Sequence, residues 1–484
     1  KTKLENMLQP VLATLLTFFW LFCSWSGLKV SESSNHHRSL SECHFDFRIS
    51  KTKCTHHDGS IWISGVPEKE SMLSRVDASS SLSKPLRSSR GSISEANSVK
   101  IGRLRPSQKA ETVGTSTTSM QPQMKKRGSP WVASCFDRTC ASWQDSKKRR
   151  IEAHGGGMIQ VENGTFYWYG ESQKMVDKSR GYGYSLGVNC YSSINLGGPW
   201  VYEGMVLTQN SIWVKELSDS DRPYIIERPK VLYNERTRRY VMWFHLDAAD
   251  TGGMHHRRLN HRHRYWFRHA GVAMSTSPTG PFRFVHALQP DTLPSLDLQV
   301  FEESNGAAYL IRSVNNEYVG MSRLSDDYLT TTGRIISTVR PCLEGMAVFR
   351  NPGDSTLYAL MSHLSGWEPN PLVLLRAHKT GGNGERGERC AVDCWLEDNI
   401  QWVDLGNPSH HAKSFNQQPT FVMTLRDRHQ KPYVMLMSDN WLYAGYRGLP
   451  DAGYIWLPLE FRNDATIGIR RMKNWTLDAP FEHH

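Results

Sequence analysis

From Ile151 onward the chain alternates between short runs of β-branched and aromatic residues and breaks of Gly, Asn, Asp and Pro. That alternation predicts an all-β domain, because such runs fit pleated, half-buried strands and such breaks fit turns. One pattern recurs five times: a polar residue, an apolar strand, a turn, then a second strand containing Tyr. The polar residues are His154, Glu227, Asp297, Glu344 and Gln418. Their tyrosines are Tyr167, Tyr240, Tyr309, Tyr358 and Tyr433, at separations of 13, 13, 12, 14 and 15 residues. Successive copies begin 73, 70, 47 and 74 residues apart, room for four-stranded units with loops of variable length. Radial repetition of four-stranded sheets is a β-propeller, so five copies predict five blades over residues 131–484.

In a propeller the innermost strand of each blade runs along the central channel. The five polar heads should therefore meet at one channel mouth. Three carboxylates, an imidazole and an amide in one funnel suit acid–base chemistry on a polar ligand. Glu171, at the end of a second strand, is a further carboxylate candidate. His245 and His363 end matched second strands and are expected at the rim. Trp367 and Trp441, the latter following Asp439, are candidates for stacking on a sugar face.

The rest of the chain reads differently. Lys1 and Lys3 precede an apolar run from about Met7 to Leu28, which suits either a signal-anchor, the favoured reading, or a cleaved signal peptide. Residues 29–130 are rich in Ser, Lys and Arg and show no sustained period. Such a composition buries too little apolar surface to offset ordering entropy, so a disordered stem is expected there.

Charge follows this division. The net charge is +11, yet residues 1–150 hold 24 Lys+Arg against 12 Asp+Glu and the remainder 34 against 35. The basicity thus belongs to the stem, no nucleic-acid-reading motif accompanies it, and nucleic acid is not an expected partner. Mean hydropathy of −0.52 and a single long apolar run exclude a multi-span membrane protein. Of nine cysteines, Cys23 lies in the apolar run. The other eight could form disulfides in a lumenal compartment, with Cys135/Cys140 and Cys390/Cys394 close enough to pair locally. Asn163-Gly-Thr and Asn474-Trp-Thr are glycosylation sequons. The run His255-His-Arg-Arg-Leu-Asn-His-Arg-His-Arg264 could bind a metal or an anion, though a solvated insertion is the stronger reading. No residue set requires a metal, so no cofactor is expected.

Several phrases resemble glycoside hydrolase family 43, in its exo-β-1,3-galactanase branch, with the layout of its plant Golgi members. They are Ala153-His-Gly-Gly-Gly-Met-Ile, Tyr167-Trp-Tyr-Gly-Glu171, Glu227-Arg-Pro-Lys-Val-Leu-Tyr-Asn, Tyr240-Val-Met-Trp-Phe-His245, Gly271-Val-Ala-Met-Ser-Thr-Ser-Pro, Ser362-His-Leu-Ser-Gly-Trp-Glu-Pro-Asn370 and Ser414-Phe-Asn-Gln-Gln. The resemblance implies a five-bladed, monomeric, inverting hydrolase that releases galactose from β-1,3-galactan of arabinogalactan type, held in the Golgi membrane with its catalytic domain in the lumen. It puts Glu344 at the general-acid position and Asp297 at a carboxylate that tunes that acid. Glu227 and Gln418 match residues that orient substrate and position water, with Gln418 the least secure as a base. His154 stands where most of the family, though not this branch, has an Asp base. Two other readings remain: a carbohydrate-binding propeller without catalysis, and an arabinofuranosidase or xylosidase.

Overall fold

A computed structural model describes residues 131–136, 143–177, 182–217, 223–248, 265–340, 342–366, 368–380, 386–389, 399–441, 452–462 and 466–481, together with the two short paired strands Cys54–Thr55 and Ile61–Trp62. The apolar run, the remainder of the expected stem, the His/Arg-rich run and Trp367 lie outside the described residues. No helix among the described residues is long and apolar enough to cross a membrane.

Five antiparallel sheets follow one another along the chain. Blade I comprises His154–Gln160, Phe166–Asp177, Tyr182–Ser193 and Val201–Thr208. Blade II comprises Tyr224–Asn234, Arg239–Ala248, His269–Ser275 and Arg283–Leu288. Blade III comprises Leu298–Glu302, Ala308–Val314, Tyr318–Arg323 and Ser337–Val339. Blade IV has Leu343–Arg350, Leu357–His363 and Leu372–Thr380, the last pairing with both Arg386–Arg389 and Ile400–Asp404. Blade V comprises Gln417–Arg426, Pro432–Asn440, Gly453–Phe461 and Ile467–Ile469. Each blade's first strand packs on the first strand of the next, and blade V's on blade I's, which closes the ring. The five-bladed propeller expected from the repeats is the fold observed. Among the described residues, the one addition to the four-stranded unit is the extra strand of blade IV.

The period of two explains why the repeat closes. Successive side chains of a strand point to opposite faces, so each blade feeds two cores, one per neighbour. Trp168 packs toward blade V while Tyr169 packs toward blade II. Met242 joins the core shared with blade I, and Trp243 the core shared with blade III. Five such inter-blade cores form the apolar interior. Each large side chain buried in them contributes about 1.5–3 kcal/mol.

The domain's two ends meet on blade V. Trp131–Ala133 pairs with Asn474–Thr476, and the Cys135 N–H donates to the Tyr454 carbonyl at 2.8 Å. Trp475 is fully buried and donates from Nε1 to the Trp456 carbonyl at 2.7 Å. Trp143 wedges between blades V and I, against Trp168, Tyr454 and Trp456. Cys135 and Cys342 are disulfide-bonded, whereas Cys190 is a free, buried thiol. Pairing of all eight cysteines outside the apolar run is therefore excluded.

Candidate active site

Four inner strands carry a β-bulge at or beside their polar head. The ladder shifts register after His154, Glu227, Glu344 and Pro419. A bulge bends the strand and re-aims its side chains. Gly155 and Gly345 meet its demand with φ values of 58° and 56°. In blade II the equivalent residue is Arg228, held at φ 55°, where a side chain is strained. Strain of this kind persists where surrounding contacts over-determine it, and it gathers at functional sites.

Arg228 reaches across the channel. Its guanidinium pairs with Asp297 of blade III at 3.0 Å and donates to the Gln418 side-chain oxygen and the Pro419 carbonyl of blade V. Burial alone would weaken its charge, but Asp297, Asp439, Glu171 and Glu344 together hold it firmly protonated. Beside it, Lys230 is fully buried and donates to the Gly155 carbonyl of blade I at 2.6 Å. Burial and the neighbouring Arg228 push that ammonium down to about 7.

Glu344 stands partly exposed at the head of blade IV. Burial, then the charge of Asp297, raise its carboxyl well above the ordinary range; Arg228, the Ser365 backbone and Gln418 oppose this without cancelling it. Asp297 also accepts from the Gly345 N–H at 3.0 Å, tying blade III to the acid's own strand. Gln418 donates from Nε2 to Glu344 and to Ser362, both at 3.0 Å, while its oxygen accepts from Arg228 and from Trp441 Nε1 at 2.7 Å. Arg and Trp are donors only, so they fix the amide's orientation. Both acceptor sites of the oxygen are taken, which suits Gln418 to hold Glu344 rather than to receive a proton.

Glu227, whose side chain is 18% exposed, sits across the ladder from His245. It accepts from Tyr265 Oη at 2.8 Å and lies 3.1 Å from His245 Nδ1. His245 Nε2 lies 3.2 Å from Asp247, which is fully buried. Burial disfavours a charged imidazole, but Asp247 and Glu227 outweigh it and push His245 up to about 10.

Hydrogen bonds and ion pairs thus link the strand heads of all five blades at one end. Asp297, Glu344 and Gln418 are joined directly or through Arg228, the neighbour of Glu227, whose own side chain pairs with His245 and Tyr265. Glu171 is buried beside Gly155, its charge reaching Arg228. Asp439 accepts from the Gly155 N–H at 2.7 Å. His154 differs from its expected place at the mouth. Its ring is fully buried, stacked on Tyr454 and tilted against Trp441, and neither nitrogen has a hydrogen-bond partner among the described residues. It packs blade I on blade V. Trp441, itself buried, braces Gln418 and offers little face for a sugar. His363 is exposed at the end of its strand, one residue beyond Ser362.

Sequence reasoning passed over Arg228, Lys230, Asp247 and Tyr265. Two cations just after Glu227, inside the run Ile225-Ile-Glu-Arg-Pro-Lys-Val-Leu232 whose other residues are apolar, were a legible signal. The His245-x-Asp247 spacing, which puts both side chains on one strand face, was another. Tyr265 carried none, since the long insertion separates it from the repeat.

The arrangement defines a class: a five-bladed propeller whose channel end gathers carboxylates around one arginine, with one carboxyl pushed well above its ordinary range by burial. No family model and no curated protein matches the chain. Solved structures do. An exo-β-1,3-galactanase from Clostridium thermocellum is 26% identical, with TM-score 0.55, over 72% of this chain and 67% of that one. A variant of the exo-β-1,3-galactanase from Phanerochaete chrysosporium, solved with β-1,3-galactotriose, is 26% identical, with TM-score 0.55, over 72% and 69%. A family GH43 β-1,3-galactosidase solved with galactodeoxynojirimycin is 28% identical, with TM-score 0.55, over 71% of this chain and the whole of that one. The fold is the one these glycosidases share.

Proposed function

We propose that the chain is a family 43 glycoside hydrolase that releases galactose from the end of β-1,3-galactan, the backbone of arabinogalactan-type glycans, with inversion. The observation that carries this reading is Glu344: a carboxyl at the channel end whose proton is retained by burial and Asp297 and whose position is set by Gln418. A retained proton is what a leaving glycosidic oxygen needs. Glu344 is the general acid. Asp297 keeps it protonated and, with Arg228, anchors the loop of charge around it. Glu227, partly exposed and held from behind, orients the sugar and the attacking water. The neighbours reported above, two exo-β-1,3-galactanases and a β-1,3-galactosidase by name, support the substrate class.

The chain is also proposed to act as a monomer in the secretory pathway, at the Golgi membrane, anchored through its N-terminal apolar run. Disulfides at Cys135 and Cys342 suit an oxidising lumen, and Asn163 and Asn474 of the two sequons are both exposed.

The test is release of galactose from linear β-1,3-galactan by the full chain beside Glu344→Gln, with β-1,4-galactan and arabinan as controls and NMR of the fresh anomer. Inversion at the β-linkage would release the α-anomer first, with the β-anomer appearing only by later mutarotation. Galactose from β-1,3-galactan alone, lost in the variant, is the expected result. Binding of the glycan with no release by either protein would move the reading to a carbohydrate-binding propeller. The buried His154, which leaves the head of blade I without a carboxylate, is the observation that favours that second reading.

A further inference from the structure

Buried Asp247 and half-buried Tyr265 are given no role in the proposed reaction. They meet Glu227 from two sides. His245 and Asp247 lie two residues apart on one strand, so their side chains share a face, and Glu227 faces His245 across the ladder. The imidazole therefore bridges two carboxylates, Glu227 at 3.1 Å and Asp247 at 3.2 Å. Tyr265 stacks on the same imidazole, 5.6 Å between ring centres at 15°, and donates to the other Glu227 oxygen at 2.8 Å. Asp247 is itself fastened: its Oδ1 accepts from the Ala248 and Phe267 N–H groups at 2.9 and 2.7 Å.

We propose that Asp247 and Tyr265 are positioning residues for Glu227, with His245 as the bridge, fixing that carboxylate toward the channel by one charged and one neutral hydrogen bond. The inference rests on the glycosidase reading. The physical reason is preorganisation: a carboxylate bound at both oxygens from the protein side cannot swing away from the sugar or the water it must hold. Asp247 supplies the charge that keeps the buried imidazole an imidazolium, so that it donates to both neighbours. The other titratable groups facing this cluster are Glu171 of blade I, whose charge reaches Tyr265, and His269 of the adjoining strand, which feels Asp247.

Two variants of the full chain test this: Asp247→Asn, which keeps shape and removes charge, and Tyr265→Phe, which keeps the stack and removes the hydroxyl. Each should lower kcat on β-1,3-galactan roughly ten- to a hundred-fold for Asp247→Asn and about tenfold for Tyr265→Phe, the worth of a charged and a neutral hydrogen bond. Both should still unfold cooperatively as a folded propeller, Asp247→Asn at a lower temperature because a buried charge loses its partner, and the pH profile of Asp247→Asn should lose its alkaline side first. NMR of the ¹⁵N-labelled histidines gives a readout independent of hydrolysis. His245 should stay an imidazolium well above neutral pH in the wild type and titrate lower in Asp247→Asn. A neutral His245 in the wild type at neutral pH overturns the proposal. So does unchanged turnover in both folded variants. Should the wild type release no galactose, the glycosidase reading fails, and the histidine titration alone decides whether the bridge exists.

Discussion

At the scale of single residues, the site is governed by which group holds its proton. Burial and the facing charge of Asp297 push the Glu344 carboxyl well above its ordinary range, as the proposed acid role requires. Replacing it with Gln should cut kcat about 10²–10⁴-fold, the usual contribution of a general acid, with glycan binding retained in a titration. The same shift has a consequence for stability. The folded chain binds this proton more tightly than the unfolded one, so the contribution is complete at acidic pH. It is lost as pH rises from the ordinary carboxylate range through the raised value. Glu344→Gln has no charge to bury. Its melting temperature should therefore match or exceed the wild type's in mildly alkaline buffer, and the gap should shrink in mildly acidic buffer. A gap independent of pH would contradict the assignment. Arg228 makes a second case. Lys in its place keeps a charge but cannot serve Asp297, Gln418 and Pro419 together, because its ammonium lacks the planar fork. Arg228→Lys should lose at least tenfold in kcat/KM, checked by the same galactose assay.

At the scale of the strand, the bulge is the device that aims each polar head. Glycine is needed where φ is positive and the channel is crowded. A Cβ at Gly345 would lie 2.7 Å from Gln418 Cγ and 3.0 Å from Ser362 Oγ. Gly306 also has positive φ, at 80°, but a Cβ there meets nothing within 4 Å. Gly345→Ala should thus cost about 1–2 kcal/mol of backbone strain plus steric displacement of Gln418. Gly306→Ala should cost the backbone term alone. Thermal melts of the two variants compare them, and only Gly345→Ala should also slow hydrolysis. Much of this element was readable in advance: the polar head, the apolar strand, the turn and the tyrosine recur in the sequence at matched spacing. The bulge itself was not, since a one-residue register shift leaves the hydrophobic pattern of a doubly buried strand almost unchanged.

At the scale of the whole molecule, stability depends on closing the ring. Blade V is clasped by the segment from Trp131 to Phe136 and by Asn474–Thr476, with Trp475 filling the joint. Trp475→Ala should cost about 3–5 kcal/mol through the cavity it leaves, seen as a lowered denaturation midpoint. Reductant should lower the melting temperature as well, because Cys135 in the same clasp is disulfide-bonded. The sequence by itself determined the number of blades, the strands that form them and the heads Glu227, Asp297, Glu344 and Gln418, because periodicity and repeat spacing are local properties of the chain. Only the tertiary structure decided which heads face the channel. His154 occupies the repeat position of an active-site residue, yet Tyr454 and Trp441, nearly 300 residues away in sequence, bury it. Arg228 occupies the position of a bulge glycine, yet Asp297 and Gln418 draw it across the channel. A side chain's charge, exposure and partners are set by what other blades bring to it, and no pattern along one strand records that.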